Sequence, residues 1–160
     1  MFRGANKLTL DTKGRMVMPT RYRELLQERC AGKLVITVDP VITVDPDKDK
    51  YKCLWIYPLP DWEDVQKKLM SLPTFDPLTR GLQQRMVGHA TDTDIDGHGR
   101  ILLPPNLREF GSLTRDAMLV GQGVRFELWD EVRWNERQNA WQVSVAPAGE
   151  LLINLDKLSL

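Results

Sequence analysis

Cysteine and histidine are scarce in this 160-residue sequence, which contains two of each. Cys30 and Cys53 do not have the spacing of metal ligands, so we expect reduced, partly buried thiols. His89 and His98 have no second ligand three or four residues away that would complete a zinc site. Ser-His-Asp and Cys-His catalytic groupings and the glycine patterns of nucleotide-binding loops are missing as well. The sequence therefore predicts no catalytic residues, no metal and no cofactor.

Long hydrophobic runs and an excess of one charge are also absent. No apolar stretch approaches the roughly 20 residues of a membrane-spanning helix, and no signal peptide is recognisable, so we expect a cytoplasmic protein without a membrane partner. The 22 basic and 22 acidic residues cancel, but residues 1–30 carry seven basic against three acidic residues, and residues 39–64 the reverse. The basic N-terminal part is compatible with a phosphate-bearing partner, although a solvated face is as common.

The dominant feature of the sequence is a ten-residue stretch that occurs twice. Residues 10–19, Leu-Asp-Thr-Lys-Gly-Arg-Met-Val-Met-Pro, return as residues 95–104, Ile-Asp-Gly-His-Gly-Arg-Ile-Leu-Leu-Pro, at an offset of 85 residues (96 − 11 = 85). An apolar residue, Asp, two variable residues, Gly, Arg, three apolar residues and Pro recur without a gap. Such a repeat indicates two related halves.

The chemistry of the repeat favours a tight β-hairpin that runs into a helix. Asp accepts hydrogen bonds from turn amides, Gly allows a positive φ, the apolar run forms a short strand, and Pro begins a helix. We therefore predict strands over residues 7–10 and 15–18 around the Asp11–Gly14 turn, and the same layout in the second copy. The arginine after the turn either folds back on the aspartate and stabilises the turn, or points outward to a ligand. Residues 1–6 precede the predicted first strand and form either a frayed end or a docking arm.

The rest of the pattern mixes helices and strands. In the first half we predict a helix over Thr20–Arg29, strands over 34–38 and 53–57, a helix capped by Asp61 through about Leu72, and a helix from Asp76-Pro77 toward His89. In the second half we predict a helix over 105–110, strands over 117–121 and 124–129, and a helix capped by Asp130. The apolar stripes of the capped helices are Trp62, Val65, Leu69 and Leu72, and Val132, Trp134 and Trp141. The five tryptophans are expected in core and interface packing.

The two halves differ in length between two of their strands. Val35–Pro40 is repeated at once as Val41–Pro46, followed by a charged turn. Leu54–Tyr57 matches Phe126–Trp129 at an offset of 72, whereas the repeat has an offset of 85, so the first half holds 85 − 72 = 13 additional residues. We interpret them as a protruding hairpin extension near residues 39–52. The final residues, 146–160, are apolar without clear periodicity and form either a docking segment or a floppy tail.

A calcium loop is the main alternative for the second copy of the repeat. Asp92-x-Asp94-x-Asp96-Gly97 resembles the opening of an EF-hand, in which alternating oxygen ligands surround a bend at Gly. The twelfth loop position is Leu103 instead of the required Glu, and the residues that follow the Gly favour a strand over a helix. The first copy has no acidic residues at the first two ligand positions. These departures argue against calcium binding.

Further motifs accompany the repeat. They are Met1-Phe2-Arg3-Gly4, the segment Leu-x-x-Tyr-Pro-Leu-x-x-Trp at 54–62, Gly88-His89-Ala90, Met118-Leu119-Val120-Gly121 and Phe126-Glu127-Leu128-Trp129. In this order and spacing, up to about residue 142, the chain resembles the MraZ family. It departs from the family pattern at the duplicated Val-Ile-Thr-Val-Asp-Pro run.

The resemblance implies an α+β fold of two tandem AbrB-like swapped-hairpin β-barrel repeats with flanking helices, related by a pseudo-two-fold axis. We expect the first repeat over 1–75, the second over 76–145, and a C-terminal tail over 146–160. The resemblance also implies a nucleoid-associated, sequence-specific DNA-binding transcriptional regulator. Such a protein assembles into a ring homo-oligomer, binds tandem repeats of double-stranded DNA and represses its own promoter and adjoining division and cell-wall genes.

The resemblance further assigns DNA recognition to the Asp-x-x-x-Arg motif. In this sequence the motif points to Arg15 and Asp11 first, and then to Arg100 and Asp96. Arg15 is expected to read a base edge while Asp11 orients it, and Arg3 and Lys13 are expected to contact phosphates. A structural ring-former, in which the Asp/Arg motifs only stabilise turns, is the alternative.

Overall fold

The computed structural model describes residues 1–40 and 51–144, with eight strands and five helices in these ranges. The strands are β1 (Phe2–Thr9), β2 (Arg15–Val17), β3 (Lys33–Val38), β4 (Leu54–Pro58), β5 (Thr91–Asp94), β6 (Arg100–Leu102), β7 (Asp116–Gly123) and β8 (Arg125–Asp130). The helices are α1 (Thr20–Cys30), α2 (Leu59–Met70), α3 (Pro77–Met86), α4 (Pro105–Phe110) and α5 (Glu131–Ser144). The predicted α+β class is confirmed, and the order of elements is consistent with two tandem units.

Six strands form one antiparallel sheet in the order β1-β7-β8-β4-β3-β5, and β2 and β6 form a separate pair. Each edge strand pairs with a strand from the other half of the chain: β1 of the first half pairs with β7, and β5 of the second half pairs with β3. In the centre of the sheet, Trp55 of β4 lies opposite Glu127 of β8. These two residues correspond at the offset of 72 (127 − 55 = 72), so the central pair has a pseudo-two-fold register.

The hairpin pairing predicted across each turn is wrong. β1 and β2 flank the first turn, yet β1 pairs with β7 while β2 pairs with β6 from the second copy. The turn itself forms as expected, with the Asp11 amide donating to the Arg15 carbonyl at 2.9 Å. The pairing of β2 with β6 is favoured because it brings the apolar side chains of both copies, Met16 and Ile101, together in the core, where both are buried.

The main core combines side chains of the sheet with side chains of β2, β6, α1 and α4. Its fully buried members include Met16, Met18, Leu26, Leu34, Ile36, Leu54, Ile56, Ile101, Leu103, Leu107, Leu119 and Phe126. Phe2 stacks on Phe126 with ring centroids 4.2 Å apart, and Tyr22 meets the same ring edge-on at 4.9 Å. The expectation that residues 1–6 precede the first strand is therefore wrong, since Phe2 anchors the start of β1 in the core.

A second apolar cluster covers the opposite face of the sheet in the first half. It contains Val35, Tyr57, Trp62, Leu69 and Met86, contributed by β3, β4, α2 and α3. In the second half, Val120 and Trp129 are buried with Cys53, and Trp134 of α5 packs against them. The stripes predicted for α2 and α5 are only partly correct, since Leu72, Val132 and Trp141 are exposed. Trp141 is therefore not part of the core of this chain.

The helix boundaries mostly lie close to the predicted ones. α1 covers the predicted range, and α3 begins at Pro77 directly after Asp76, as predicted. The Asp130 carboxylate accepts a hydrogen bond from the Arg133 amide at 3.1 Å, which confirms its capping role. The predicted Asp61 cap is wrong, because α2 begins at Leu59 and Asp61 lies in its first turn.

Two sequence expectations fall partly or wholly outside the described residues. The second Val-Ile-Thr-Val run and most of the charged turn of the predicted hairpin extension near 39–52 lie outside them, and so does the C-terminal tail over 146–160. The cysteines are described, and both are free thiols as expected. Cys30 is half-buried and Cys53 is buried, and burial raises the pKa of each thiol.

Candidate nucleic-acid interface

The first Asp-x-x-Gly-Arg turn is organised by one carboxylate. Oδ1 of Asp11 accepts hydrogen bonds from the backbone amides of Lys13 and Arg15 at 2.9 and 2.8 Å. Oδ2 of Asp11 accepts from Nε of the Arg15 side chain at 2.7 Å. Gly14 completes the turn with a φ of +79°, a conformation that residues with a Cβ rarely adopt.

The second turn repeats this geometry. Oδ1 of Asp96 accepts from the amides of His98 and Arg100 at 2.8 and 2.9 Å, and Oδ2 accepts from Nε of Arg100 at 2.9 Å. Gly99 has a φ of +76°. Of the two orientations open to the arginine, both copies therefore fold Nε back onto the aspartate.

The hydrogen bonds hold both carboxylates in their ionised form. The amide of Arg100 is the main cause that lowers the pKa of Asp96, from 3.8 to about 2. The amide of Arg15 likewise lowers the pKa of Asp11. Within the ranges that the structure describes, the guanidinium groups of Arg15 and Arg100 use only Nε in these bonds. Their terminal nitrogens are thus available to a ligand, and the partly exposed side chains are held in one orientation.

The pairing of β2 with β6 joins the two turns into one surface. Met16 lies opposite Ile101, while Arg15 lies opposite Leu102 and Val17 opposite Arg100. Because side chains alternate along a strand, the arginines share the outer face with the exposed Val17 and Leu102. We call residues 11–17 and 96–102 the paired-turn surface.

Backbone hydrogen bonds from each copy close the turn of the other copy. The carbonyl of Gly14 accepts from the amide of Leu103 at 3.0 Å, and the carbonyl of Gly99 accepts from the amide of Met18 at 2.8 Å. The two turns are thus parts of one structural unit rather than independent loops.

Two arginines that sequence reasoning missed support the turns from the helices. Nε of Arg23 donates to the carbonyl of Met18 at 2.7 Å, and Nε of Arg108 donates to the carbonyl of Leu103 at 3.1 Å. The Arg108 guanidinium group lies against Gly14, and that of Arg23 against Gly99, where an added Cβ would overlap it. The signal was present in the sequence, because these arginines also have the offset of the repeat (108 − 23 = 85).

The surface and its supports have an excess of positive charge. The basic side chains are Lys13, Arg15, Arg23, Arg100 and Arg108, and the acidic ones are Asp11, Asp96 and Glu24, which lines a groove beside the second turn. Five positive and three negative charges leave a net charge of +2. Because each turn aspartate is paired with its own arginine, the excess positive charge comes from Lys13 and the supporting arginines.

The structure gathers most, but not all, of the predicted site residues. Arg15, Asp11, Lys13, Arg100 and Asp96 all belong to the paired-turn surface, with Lys13 exposed at a turn tip. Arg3 lies near the other end of β1, opposite Gln122, and at about 3.3 Å per residue it is about 20 Å from Thr9. Its carbonyl oxygen accepts a hydrogen bond from the Tyr22 hydroxyl group. Arg3 is therefore not brought to the turns.

The three aspartates of the EF-hand-like segment do not converge. Asp92 and Asp94 are exposed on β5, where Asp94 lies opposite Lys33, whereas Asp96 is bonded within its turn. Over residues 1–40 and 51–144, no group of three or more His, Cys, Asp or Glu side chains is arranged to hold a metal ion. Nor does any helix in these ranges have the length and apolar character needed to cross a membrane.

Comparison with known proteins also divides the chain into two similar parts. The family model described as "MraZ protein, putative antitoxin-like" matches residues 1–85 and again residues 86–147. Proteins named "Transcriptional regulator MraZ" from Thioalkalivibrio sulfidiphilus and from Pseudomonas aeruginosa strain UCBPP-PA14 are each 48% identical over 160 residues, covering 100% of both chains. A protein of the same name from Nitrosospira multiformis is 51% identical over 135 residues, which cover 84% of this chain and 85% of the relative. The name describes a regulator of transcription rather than an enzyme, and the chain belongs to the MraZ family.

Proposed function

We propose that this protein is a sequence-specific transcriptional regulator that binds double-stranded DNA through the paired-turn surface. The observation that carries the proposal is the way in which Arg15 and Arg100 are held. Asp11 and Asp96 fix each guanidinium group through Nε and leave its terminal nitrogens available on the outer face. A guanidinium group presented in this way bonds the O6 and N7 edge of guanine bidentately, a contact worth about 1–3 kcal/mol of discrimination.

The residues of the surface have different roles in this proposal. Arg15 reads a base edge in the major groove, and Asp11 orients it without touching DNA. Lys13 contacts phosphate, which fixes the position of the protein without reading the sequence. Arg3 lies on another part of the molecule and contacts the backbone of the same DNA only if the duplex extends along β1.

The first copy of the turn is the stronger candidate for base reading. Lys13 is exposed at its tip, whereas His98 occupies the same position in the second copy. The second turn also follows the exposed Asp92 and Asp94 of β5, which repel phosphate. Arg100 and Asp96 then act as a weaker second contact or as the structural partner of the first turn.

The regulatory part of the proposal rests on the relatives, which are named transcriptional regulators. We propose that the protein represses its own promoter and adjoining division and cell-wall genes, and that a ring of identical chains binds tandem DNA repeats. A single paired-turn surface, which together with its supporting side chains has a net charge of +2, binds weakly, and linking several such surfaces raises the overall affinity. We also propose repeats over residues 1–75 and 76–145 that interleave as swapped hairpins, which the exchange of β2, β6 and the edge strands supports.

A purely structural role for the motif is the second candidate. It is favoured by the observation that each aspartate uses both carboxylate oxygens within its own turn. In that case the arginine stabilises the turn, and its removal weakens the fold or the oligomer.

A binding titration separates the two candidates. Wild type, Arg15→Ala, Arg100→Ala and Lys68→Ala are titrated with DNA from upstream of the protein's own gene at two salt concentrations. Lys68 is an exposed residue of α2, so its removal changes the net charge equally without touching the paired-turn surface. Oligomer mass and melting temperature are measured on the same samples.

The proposal expects Arg15→Ala to lose specific binding while its oligomer and melting temperature stay close to wild type, since exposed ion pairs contribute about 0–1 kcal/mol. Arg100→Ala is expected to lose less affinity, and Lys68→Ala to bind as wild type does. Wild-type affinity should fall steeply as salt rises. Unchanged binding by Arg15→Ala, or collapse of its oligomer, would return the motif to the structural role.

A further inference from the structure

Large apolar side chains are exposed around the connection between α2 and α3. Phe75 is fully exposed, and Met70, Leu72 and Leu78 are 52%, 42% and 63% exposed. Single exposed apolar residues are normal, but four of them within nine residues form a patch of the kind that marks a contact with another molecule. We call these four residues the apolar patch.

A groove with an apolar lining lies on another part of the molecule, between α1, the start of β1 and the turn between β7 and β8. It has a volume of about 490 Å³, and its lining includes Met1, Phe2, Leu25 and Val124. Leu25 and Val124 are 45% and 42% exposed. Since a cavity of about 150 Å³ is enough to hold benzene, the groove has room for the phenyl ring of a phenylalanine and for part of a neighbouring side chain.

The groove and the apolar patch lie at opposite ends of α2. Asp61 in the first turn of α2 lines the groove, whereas Met70, the last residue of α2, belongs to the patch. The nine residues between them (70 − 61 = 9) correspond to about 14 Å along the helix axis. Phe75 follows Met70 at the far end, so it does not reach the groove of its own chain. A contact between patch and groove therefore requires two copies of the chain.

The charges at the two ends of α2 are complementary. The charged residues near the patch are Lys67, Lys68, Asp76 and Arg80, and those at the groove are Glu28, Arg29, Asp61 and Asp64, the last of which interacts electrostatically with Arg29. The patch has a net charge of +2 (3 − 1 = 2) and the groove a net charge of −2 (1 − 3 = −2). Charges of opposite sign steer two surfaces together and suppress the pairing of like surfaces.

We propose that Phe75 of one copy of this chain inserts into the groove formed by Met1, Leu25 and Val124 of a second copy. The first copy keeps its own groove free and the second keeps its own patch free. The contact is therefore head-to-tail and adds further copies until the assembly closes. This inference deepens the proposed ring of identical chains and rests on it. The apolar insertion carries the contact, so removal of one exposed charge at the rim, as in Lys68→Ala, leaves the assembly intact.

The mass of the assembly tests the contact. Wild type, Phe75→Asp, Leu25→Asp and the control Val132→Asp are compared as full chains by analytical ultracentrifugation. Val132 is an apolar residue of α5 that is 63% exposed, so its change adds the same charge outside both surfaces. We expect a large assembly for wild type and the control, and the mass of a single chain for Phe75→Asp and for Leu25→Asp. All three positions are exposed, so the melting temperature of each single chain should stay close to that of the control.

A mixture of the two variants shows whether the contact is head-to-tail. The Leu25→Asp chain keeps an intact patch, and the Phe75→Asp chain keeps an intact groove. Equal amounts should therefore form a complex of two chains, one of each variant, and nothing larger, because neither remaining end can be extended. If patches bound each other instead, Leu25→Asp alone would assemble, which would overturn the proposal.

Wild-type mass in Phe75→Asp or in Leu25→Asp would also overturn the proposal, as would a mixture that forms no two-chain complex. Phe75→Asp that keeps the wild-type mass but has a lower melting temperature would show that another part of the same chain covers the patch. If Leu25→Asp does not fold, Val124→Asp takes its place. A wild type that remains a single chain would contradict the ring together with this contact, whereas DNA binding is judged separately by the titration of Arg15→Ala.

Discussion

Met16 lies directly opposite Ile101 across the β2–β6 pair, and the two residues occupy the same position in the two copies of the repeat (101 − 16 = 85). A pseudo-two-fold axis therefore passes between them. The hydrogen bonds of Gly14 and Gly99 to the opposite copy, and the supporting Arg23 and Arg108, follow the same symmetry. The two turns consequently form one unit, whose stability depends on side chains from both halves of the chain.

The axis residues are expected to be important for stability. Met16→Ala or Ile101→Ala removes a buried side chain from the core and should lower the free energy of unfolding by about 2–5 kcal/mol. Their neighbours Val17 and Leu102 are 47% and 52% exposed, so Val17→Ala and Leu102→Ala should each change it by about 0.5 kcal/mol or less. Urea unfolding of all four variants checks this expectation. Similar losses at buried and exposed positions would contradict the assigned register.

The turn glycines should not tolerate a Cβ. Gly14→Ala and Gly99→Ala place alanine at a φ of +79° and +76° and against the guanidinium groups of Arg108 and Arg23. Each should lower the free energy of unfolding by more than about 1 kcal/mol. Gly97→Ala is the control, because nothing lies within 4 Å of its added Cβ. The double variant Gly14→Ala, Arg108→Ala should lose less free energy of unfolding than the sum of the two single variants, because Arg108 no longer overlaps the added Cβ. Thermal unfolding of wild type, the two single variants and the double variant measures this coupling.

The turn aspartates should give the protein a dependence on acidic pH. In the folded state the pKa of Asp96 is about 2, below the ordinary value of 3.8. A lowered pKa contributes stability that is complete above pH 3.8 and is lost as the pH falls toward about 2. Wild type should therefore be more stable than Asp96→Asn above pH 3.8, and the difference should shrink below it. Unfolding titrations of both proteins across this range test the prediction, which a pH-independent difference would refute.

The ion pair between α1 and α2 should contribute little. Nη2 and Nε of Arg29 donate to the two carboxylate oxygens of Asp61 at 2.6 and 3.1 Å, but 56% of the Arg29 side chain is exposed. A double-mutant cycle with Arg29→Ala and Asp61→Ala should give a coupling of about 0.2–1 kcal/mol that decreases with added salt. Asp61→Ala alone loses in addition a favourable charge in the first turn of α2. A coupling well above this range would show instead that the low exposure of the Asp61 side chain, 13%, governs the strength of the pair.

Lys13 tests phosphate contact separately from base reading. If Lys13 touches one phosphate, Lys13→Ala should reduce the slope of log affinity against log salt by about 1 and weaken cognate and non-cognate DNA equally. Lys68→Ala, which removes the same charge elsewhere, should leave the slope unchanged. A loss confined to cognate DNA would instead make Lys13 a reader of sequence. Titrations on two DNA sequences over a range of salt concentrations separate these results.

Much of the local structure was predictable because its causes lie within a few residues. The Asp11 and Asp96 turns and the cap at Asp130 follow from side chains that bond to nearby backbone groups. The start of α3 follows from Pro77, which suits the first turn of a helix. The Asp61 cap failed because α2 begins directly after Pro58 and has Pro60 in its first turn, where Asp61 also lies. The Asp61 carboxylate instead accepts hydrogen bonds from Arg29, which lies 32 residues away.

In the candidate site, too, the features with local causes were predictable from the sequence, and the features that depend on strand pairing were not. The repeat alone identifies Asp11, Arg15, Asp96 and Arg100 and predicts that each aspartate accepts hydrogen bonds from the amides of its own turn. The repeat left the orientation of the arginines open, and the structure shows Nε of each bonded to the aspartate of the same turn. The union of the turns into one surface, the supports from Arg23 and Arg108 and the distance of Arg3 all depend on which strands pair. Strand pairing depends on the tertiary structure, because backbone groups can form equivalent hydrogen bonds with any strand. The partner is determined by which pairing buries apolar side chains such as Met16 and Ile101.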